Sequence, residues 1–159
     1  MPPSVVLVTG VSRHLGGRLA ALLADDPSIE RIIGVDTVPP PRELPLGRTE
    51  FVRADIRNPL IAKVIATAAV DTVVHLNITA VPRAAGGRAS MKEMNVIGTM
   101  QLLAACQKSA SVRQLVVKSS TAVYGSSPQD PAMFTEDLEP NAMARTGYAK
   151  DSVEVEGYV

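Results

Sequence analysis

The sequence predicts an α/β fold, a doubly wound parallel sheet of about five strands. Three observations carry this expectation: short apolar runs rich in β-branched residues, longer helical patterns between them, and a glycine-rich turn directly after the first run. The first strand is Val5 to Val8, and the following helix carries Leu15, Leu19, Leu22 and Leu23 at helical spacing until Asp25-Asp26-Pro27 stops it. A second strand, Arg31 to Val35, leads into a proline-rich surface loop from Val38 to Leu46, and a third spans Glu50 to Arg53. Asn58 reads as an N-cap with Pro59 at the first helical position, opening a helix through about Ala69. Thr72 to Leu76 is the fourth strand. Ser90, with Glu93 three residues on, has the form of a capping box for a longer helix whose apolar stripe is Met94, Ile97, Leu102, Ala105 and Cys106. Gln114 to Lys118 is the fifth strand, Gly125 to Gly147 a polar loop carrying Pro128, Pro131 and Pro140, and Tyr148 to Val159 a last helix. The strands are too short and too uniformly apolar for a sheet wetted on one face.

Length and composition bound the rest. A chain of 159 residues, 46% of them apolar, is expected to form one domain over 1–159 whose core needs no staples. Cys106 is the single cysteine, and no Cys/His cluster has metal-ligand spacing, which excludes a disulfide framework and structural zinc and suits a reducing cytoplasm. Sixteen basic residues balance sixteen acidic ones without a block of either sign, which argues against nucleic acid as a partner. No apolar run reaches the ~18 residues of a membrane span. No sixth strand follows the last helix, so the sequence reads as a piece of a longer protein.

The turn Thr9-Gly10-Val11-Ser12-Arg13-His14-Leu15-Gly16-Gly17 is where a phosphate should sit. Gly10 serves the tight turn, Gly16 permits close packing of helix on strand, and the helix N-terminus offers N–H groups and partial positive charge to a diphosphate. Asp36 follows the second strand 20 residues after Gly16, where a carboxylate can accept both hydroxyl hydrogens of an adenosine ribose and would repel a 2′-phosphate, which favours NAD over NADP. An ATP-binding P-loop is disfavoured: five residues separate Gly10 from Gly16, and Gly17 stands where the lysine would be.

Taken with Asp55-Ile56, His75-Leu76-Asn77, Asn95-Val96-Ile97-Gly98-Thr99, Ser119-Ser120-Thr121-Ala122-Val123-Tyr124-Gly125 and Tyr148, in that order, the sequence resembles the extended short-chain dehydrogenase/reductase family, in its NAD-dependent epimerase/dehydratase branch. The resemblance covers nearly the whole chain. It implies a Rossmann-like NAD-binding domain, a cytoplasmic homodimer paired through the helices bearing Asn95 and Tyr148, and a small-molecule substrate such as a nucleotide sugar. A C-terminal substrate-binding portion would lie outside this sequence. The implied cofactor contacts are Gly10, Arg13, Leu15 and Gly16 of the loop, Asp36, Asp55 and Ile56 at the adenine, and Leu76 and Asn77 after the fourth strand. The implied catalytic residues are Asn95, which organises the site, Ser120 (or Thr121 beside it), which bonds the substrate hydroxyl, and Tyr148, the acid/base in hydride transfer. A buried Asn within a helix needs partners for its amide, so a polar network is expected around Asn95.

Two residues depart from the family's pattern. Arg13 stands at the middle position of the loop, where it can lay a guanidinium on the diphosphate or narrow the site. Ser152 stands four residues after Tyr148, where the family has the lysine that tunes the tyrosine and holds the nicotinamide ribose. Lys150 lies about 200° around the helix from Tyr148 and faces away, which leaves Lys118, at the end of the fifth strand, as the candidate replacement cation. The alternative to an enzyme is a non-catalytic dinucleotide-binding module, a redox sensor or scaffold.

Overall fold

The computed structural model describes residues 3–81, 86–125, 127–140 and 147–159. Its strands are β1 (Val5–Thr9), β2 (Arg31–Asp36), β3 (Glu50–Arg53), β4 (Thr72–His75) and β5 (Gln114–Val117), each within one residue of its expected ends. They lie in one parallel sheet in the order β3-β2-β1-β4-β5, with Val6 paired to Ile32 on one side and to Thr72 on the other. This is the Rossmann-like arrangement the sequence implied. The helices are α1 (His14–Ala24), α2 (Leu60–Thr67), α3 (Gly87–Lys92), α4 (Gly98–Lys108) and α5 (Gly147–Glu156).

Alternate residues of β1 to β4 enter different cores, which is why those strands are so apolar, whereas in β5 only Leu115 joins a core and Val116 is 46% exposed. Leu7, Ile33, Val35 and Val73 pack with Ile61 and Ile65 of α2 and Leu102, Ala105 and Cys106 of α4. Val6, Val8 and Ile32 pack with Ala20 of α1 and with Leu46 from the proline-rich loop. The N-cap of α2 is Pro59, one residue later than expected, and Asn58 just before it still serves the first turn, its Oδ1 accepting the Leu60 N–H at 3.0 Å. That helix closes at Ala68, shortly before the expected end at Ala69, which takes a positive φ of 52°.

Three expectations need correction. Leu15 and Leu22 are 54% and 64% exposed, and the residues α1 buries are Gly16, Gly17 and Ala20, with Leu19 and Leu23 partly buried beside them, because Gly16 lies against the Gly10 backbone and Gly17 against the Leu44 side chain. Ser90 caps nothing: it lies inside α3, whose N-cap is Gly86, and Glu93 turns instead to Arg57 at 3.3 Å. Ile97 is 45% exposed because Glu93–Ile97 forms a π turn between α3 and α4, whose added residue turns Asn95 and Val96 inward and Ile97 out. Within the expected loop Gly125 to Gly147, positions 126 and 141–146 lie outside the described residues. In the remainder Phe134 stacks on Tyr124 with ring centroids 4.6 Å apart.

Candidate functional site

The strand order reverses at β1, whose neighbours β2 and β4 depart in opposite directions, and ligands of open parallel sheets settle outside the carboxyl ends at such a point. A cleft of about 190 Å³ lies there. It is lined by segments that follow four different strands: Arg13 after β1, Thr37 after β2, Asp55 and Arg57 after β3, and Asn77 and Thr79 after β4. Ser90, Met91 and Met94 of α3 and the π turn close it.

Gly10 begins the turn with φ at +78°, and its N–H donates to the Val35 carbonyl at 2.9 Å. Gly16 has no room for a side chain, since a Cβ there would lie 2.2 Å from the Gly10 carbonyl oxygen. The first turn of α1 is thereby pressed against the loop, and α1 begins without a side-chain cap at Arg13, so its N-terminus faces the cleft as a group able to receive an anion. Asp36, only 1% exposed, joins this unit. It accepts the Ser12 N–H at 3.2 Å and the Thr37 N–H at 2.7 Å, which ties the end of β2 to the glycine loop. Leu15 sits in the first turn of α1 with its side chain outward.

Asp55 is engaged by a residue the sequence reading passed over. Arg57 Nη2 donates to its Oδ2 at 2.6 Å and Nε to its Oδ1 at 3.0 Å, and these bonds hold the Asp55 carboxyl below the usual carboxylate range. Ile56 is buried against Gly98, where a Cβ would approach its Cγ1 to 2.9 Å.

Behind the cleft runs a closed chain of hydrogen bonds. Thr9 Oγ1 accepts the N–H groups of Leu76 and Asn77 at 3.1 and 3.3 Å, so its own hydrogen goes to His75 Nδ1 at 2.7 Å. His75 Nε2 therefore carries the ring proton and donates to Thr99 Oγ1 at 2.9 Å, which donates to the Asn95 carbonyl at 2.5 Å. Complete burial, reinforced by the Lys118 charge, pushes the His75 imidazole down to about 4, so it is neutral at physiological pH. The Asn95 side chain is fully buried and satisfied. Its amide accepts the Thr79 N–H and donates to the Thr79 carbonyl, both at 2.9 Å, and reaches Asp151 Oδ2 at 3.1 Å. Lys118 secures the same segment, Nζ donating to the Ile78 carbonyl at 2.8 Å rather than entering α5.

The remaining predicted residues lie on α5 and the turn after β5, outside the lining of that cleft. Ser120 Oγ accepts the Ala122 N–H at 3.2 Å and caps the 3₁₀ turn Thr121–Tyr124, which leaves its own hydrogen for another partner, while Thr121 is exposed. Tyr148 is half-buried in the first turn of α5, a helix packed against both that 3₁₀ turn and the π turn. Lys150 is exposed; Ser152 is 2% exposed, and its Oγ has no hydrogen-bond partner. Beside it Asp151, with no exposure at all, is gripped by Arg88 at 2.5 and 2.9 Å, and the same guanidinium donates to the Gly147 carbonyl at 2.6 Å. Arg88 and Asp151 have no local signal in the sequence, because their pairing spans 63 positions.

These residues fit a dinucleotide. The uncapped N-terminus of α1 stands behind the glycine loop, and Asn77, 3% exposed on the cleft wall, keeps its side-chain oxygen without a hydrogen-bond donor. No group of three or more His, Cys, Asp or Glu among the described residues has the arrangement to hold a metal ion.

Comparison with known proteins agrees. The family described as "NAD dependent epimerase/dehydratase family" matches residues 6–158. An uncharacterized protein of Mycobacterium tuberculosis is 55% identical over 159 residues, covering 99% of this chain and 42% of the relative. Among solved structures, a UDP-glucose-4-epimerase from Stenotrophomonas maltophila with bound NAD and formylated UDP-arabinopyranose superimposes with a TM-score of 0.78 at 27% identity, covering 99% of this chain and 47% of that one. A UDP-glucuronic acid 4-epimerase from Bacillus cereus, in complex with UDP-glucuronic acid and NAD, gives 0.73 at 25% identity over 96% of this chain and 50% of that one. The chain thus spans about half the length of the proteins it matches.

Proposed function

The chain belongs to the NAD dependent epimerase/dehydratase family, and from that premise we propose that it holds NAD for hydride transfer on a nucleotide sugar. The observation that carries this reading is the joining of Asp36 to the glycine loop through the Ser12 N–H, which brings a ribose acceptor and a diphosphate cradle into one rigid unit. NAD, when bound, supplies a nicotinamide that accepts and returns hydride. The chain's own residues do the rest. The Gly10 to Gly16 loop and the α1 N-terminus receive the diphosphate, with Arg13 as a charged wall and Leu15 as an apolar one. Asp36 accepts the adenosine ribose hydroxyls, and Asp55 and Ile56 border the base. Leu76 and Asn77 line the other half. Ser120 hydrogen-bonds the sugar hydroxyl, Tyr148 moves its proton, and Asn95 ties the Thr79 backbone to Asp151 of the helix that carries Tyr148. Lys118 supplies positive charge behind Ile78 in place of the lysine absent at Ser152.

A second reading is favoured by one observation: Ser152 is buried with its hydroxyl unmet, so no cation touches Tyr148 from that position, and binding without chemistry follows. Calorimetric titration with NAD tests the shared premise, and Asp36→Ala should weaken binding at least tenfold. Epimerisation of UDP-sugars by the full-length protein, abolished by Tyr148→Phe, supports the enzyme. Tight NAD binding with no turnover across such sugars supports the module.

A further inference from the structure

We propose that Asn77 anchors the ribose of the nicotinamide half of the cofactor, its side-chain oxygen accepting a hydroxyl hydrogen, an inference that rests on the NAD reading above. Asn77 is 3% exposed, yet it lines the cleft and its Oδ1 meets no donor. A buried amide oxygen without a donor is costly, so a ligand that brings one is favoured there.

The rest of the residue is held in place. Its N–H donates to Thr9 Oγ1 at 3.3 Å, its Nδ2 contacts Met94 Sδ at 3.5 Å, and its Cα would lie 3.2 Å from a Cβ on Gly10, so it stands directly against the glycine turn. Two arguments then select the ligand group. An acceptor oxygen needs a hydrogen, and an ionised diphosphate has none to give, which removes the part of the cofactor nearest Gly10. Sheet order removes the adenosine end: Asp36 stands at the end of β2 on one side of β1, and Asn77 follows β4 on the other. A dinucleotide that starts at Asp36 and crosses the glycine turn reaches Asn77 with its second ribose. Ser152 occupies the position from which the resemblance would have a lysine hold that ribose, and a serine there has no cation to extend.

The test is calorimetric titration of NAD, ADP-ribose and ADP into the full-length protein and into Asn77→Ala, with Asn77→Ser as a second variant. ADP-ribose carries the second ribose without the nicotinamide, and ADP carries neither. Expected is an affinity loss of about three- to tenfold for both NAD and ADP-ribose, with ADP unchanged within twofold. Unchanged ADP binding also reports that the variant is folded. An equal loss for ADP would place the amide on the diphosphate through its Nδ2 and overturn the proposal. A loss for NAD alone would place it on the carboxamide and overturn it equally, as would no loss for any ligand. Failure of the unsubstituted protein to bind any of the three sinks the NAD reading itself, whereas normal binding by wild type and variant alike sinks only the role of Asn77.

Discussion

At the level of single residues, the site divides by how far each partner lies along the chain. Gly10, Gly16 and Asp36 were legible because a turn, a close approach and an acid after the next strand leave a local spacing in the sequence. The roles of His75, Arg88 and Asp151 were not, since His75 pairs with Thr9 across 66 positions and Arg88 with Asp151 across 63. Gly16→Ala tests the legible part: its Cβ would strike the Gly10 carbonyl, and NAD titration should show binding lost by more than tenfold while the melting temperature falls by only a few degrees. His75 tests the hidden part. Its imidazole binds a proton near 6.5 when unfolded and only near 4 when folded, so the unfolded state takes up the proton first as pH falls. Stability is therefore full above about 6.5 and drains away toward 4, by roughly 2–3 kcal/mol for this group. Urea midpoints at pH 7.5 and 4.5 should show wild type losing that much more than His75→Gln, whose amide does not titrate. Equal losses in the two proteins would assign the acid sensitivity to other groups.

Among the elements, the five strands and α2 follow from hydrophobic runs and one N-cap, and the structure keeps their ends within a residue or two. The segment Gly87–Lys108 was misread because the 3.6-residue period that exposes a helix face in sequence fails across a π turn. That turn carries Asn95 inward, and Asn95 and Arg88 together hold α5, the helix of Tyr148, through Asp151. Removing the guanidinium leaves a fully buried carboxylate with only the Asn95 amide. Arg88→Met should then cost about 3 kcal/mol, the low end for breaking a buried pair because Arg88 itself is 40% exposed. Urea denaturation measures the loss, and hydrogen exchange should locate it, with α5 amides opening faster than those of β1. The double variant Arg88→Met with Asp151→Leu should recover most of the stability, since an apolar pair of similar volume needs no charge partner. If both variants are equally unstable, the clamp acts through shape and not through charge.

For the whole molecule, the order β3-β2-β1-β4-β5 places Asp36 and Asp55, the residues proposed to meet the adenosine, on one side of β1 and Asn77, Asn95, Lys118 and Ser120 on the other. Alternating strand and helix patterns announced a parallel sheet, but the order of its strands rests on pairings between distant segments, which no local pattern carries. A ligand that crosses the reversal point touches loops after β1, β2, β3 and β4, so NAD should stabilise the fold as a unit. At a hundredfold excess over its dissociation constant the gain is about 2.7 kcal/mol, which for a chain of this size raises the melting temperature by about 5–10 °C. The same gain from AMP at equal saturation would be spread differently. AMP reaches only the β2 and β3 side, so hydrogen exchange should slow around Ser12, Thr37 and Asp55 with either ligand, and around Asn77 to Thr79 and the π turn with NAD alone. Protection of both sides by AMP would mean that the cleft closes as one rigid shell whatever half is filled, and that the second half of the dinucleotide makes no contacts of its own after β4.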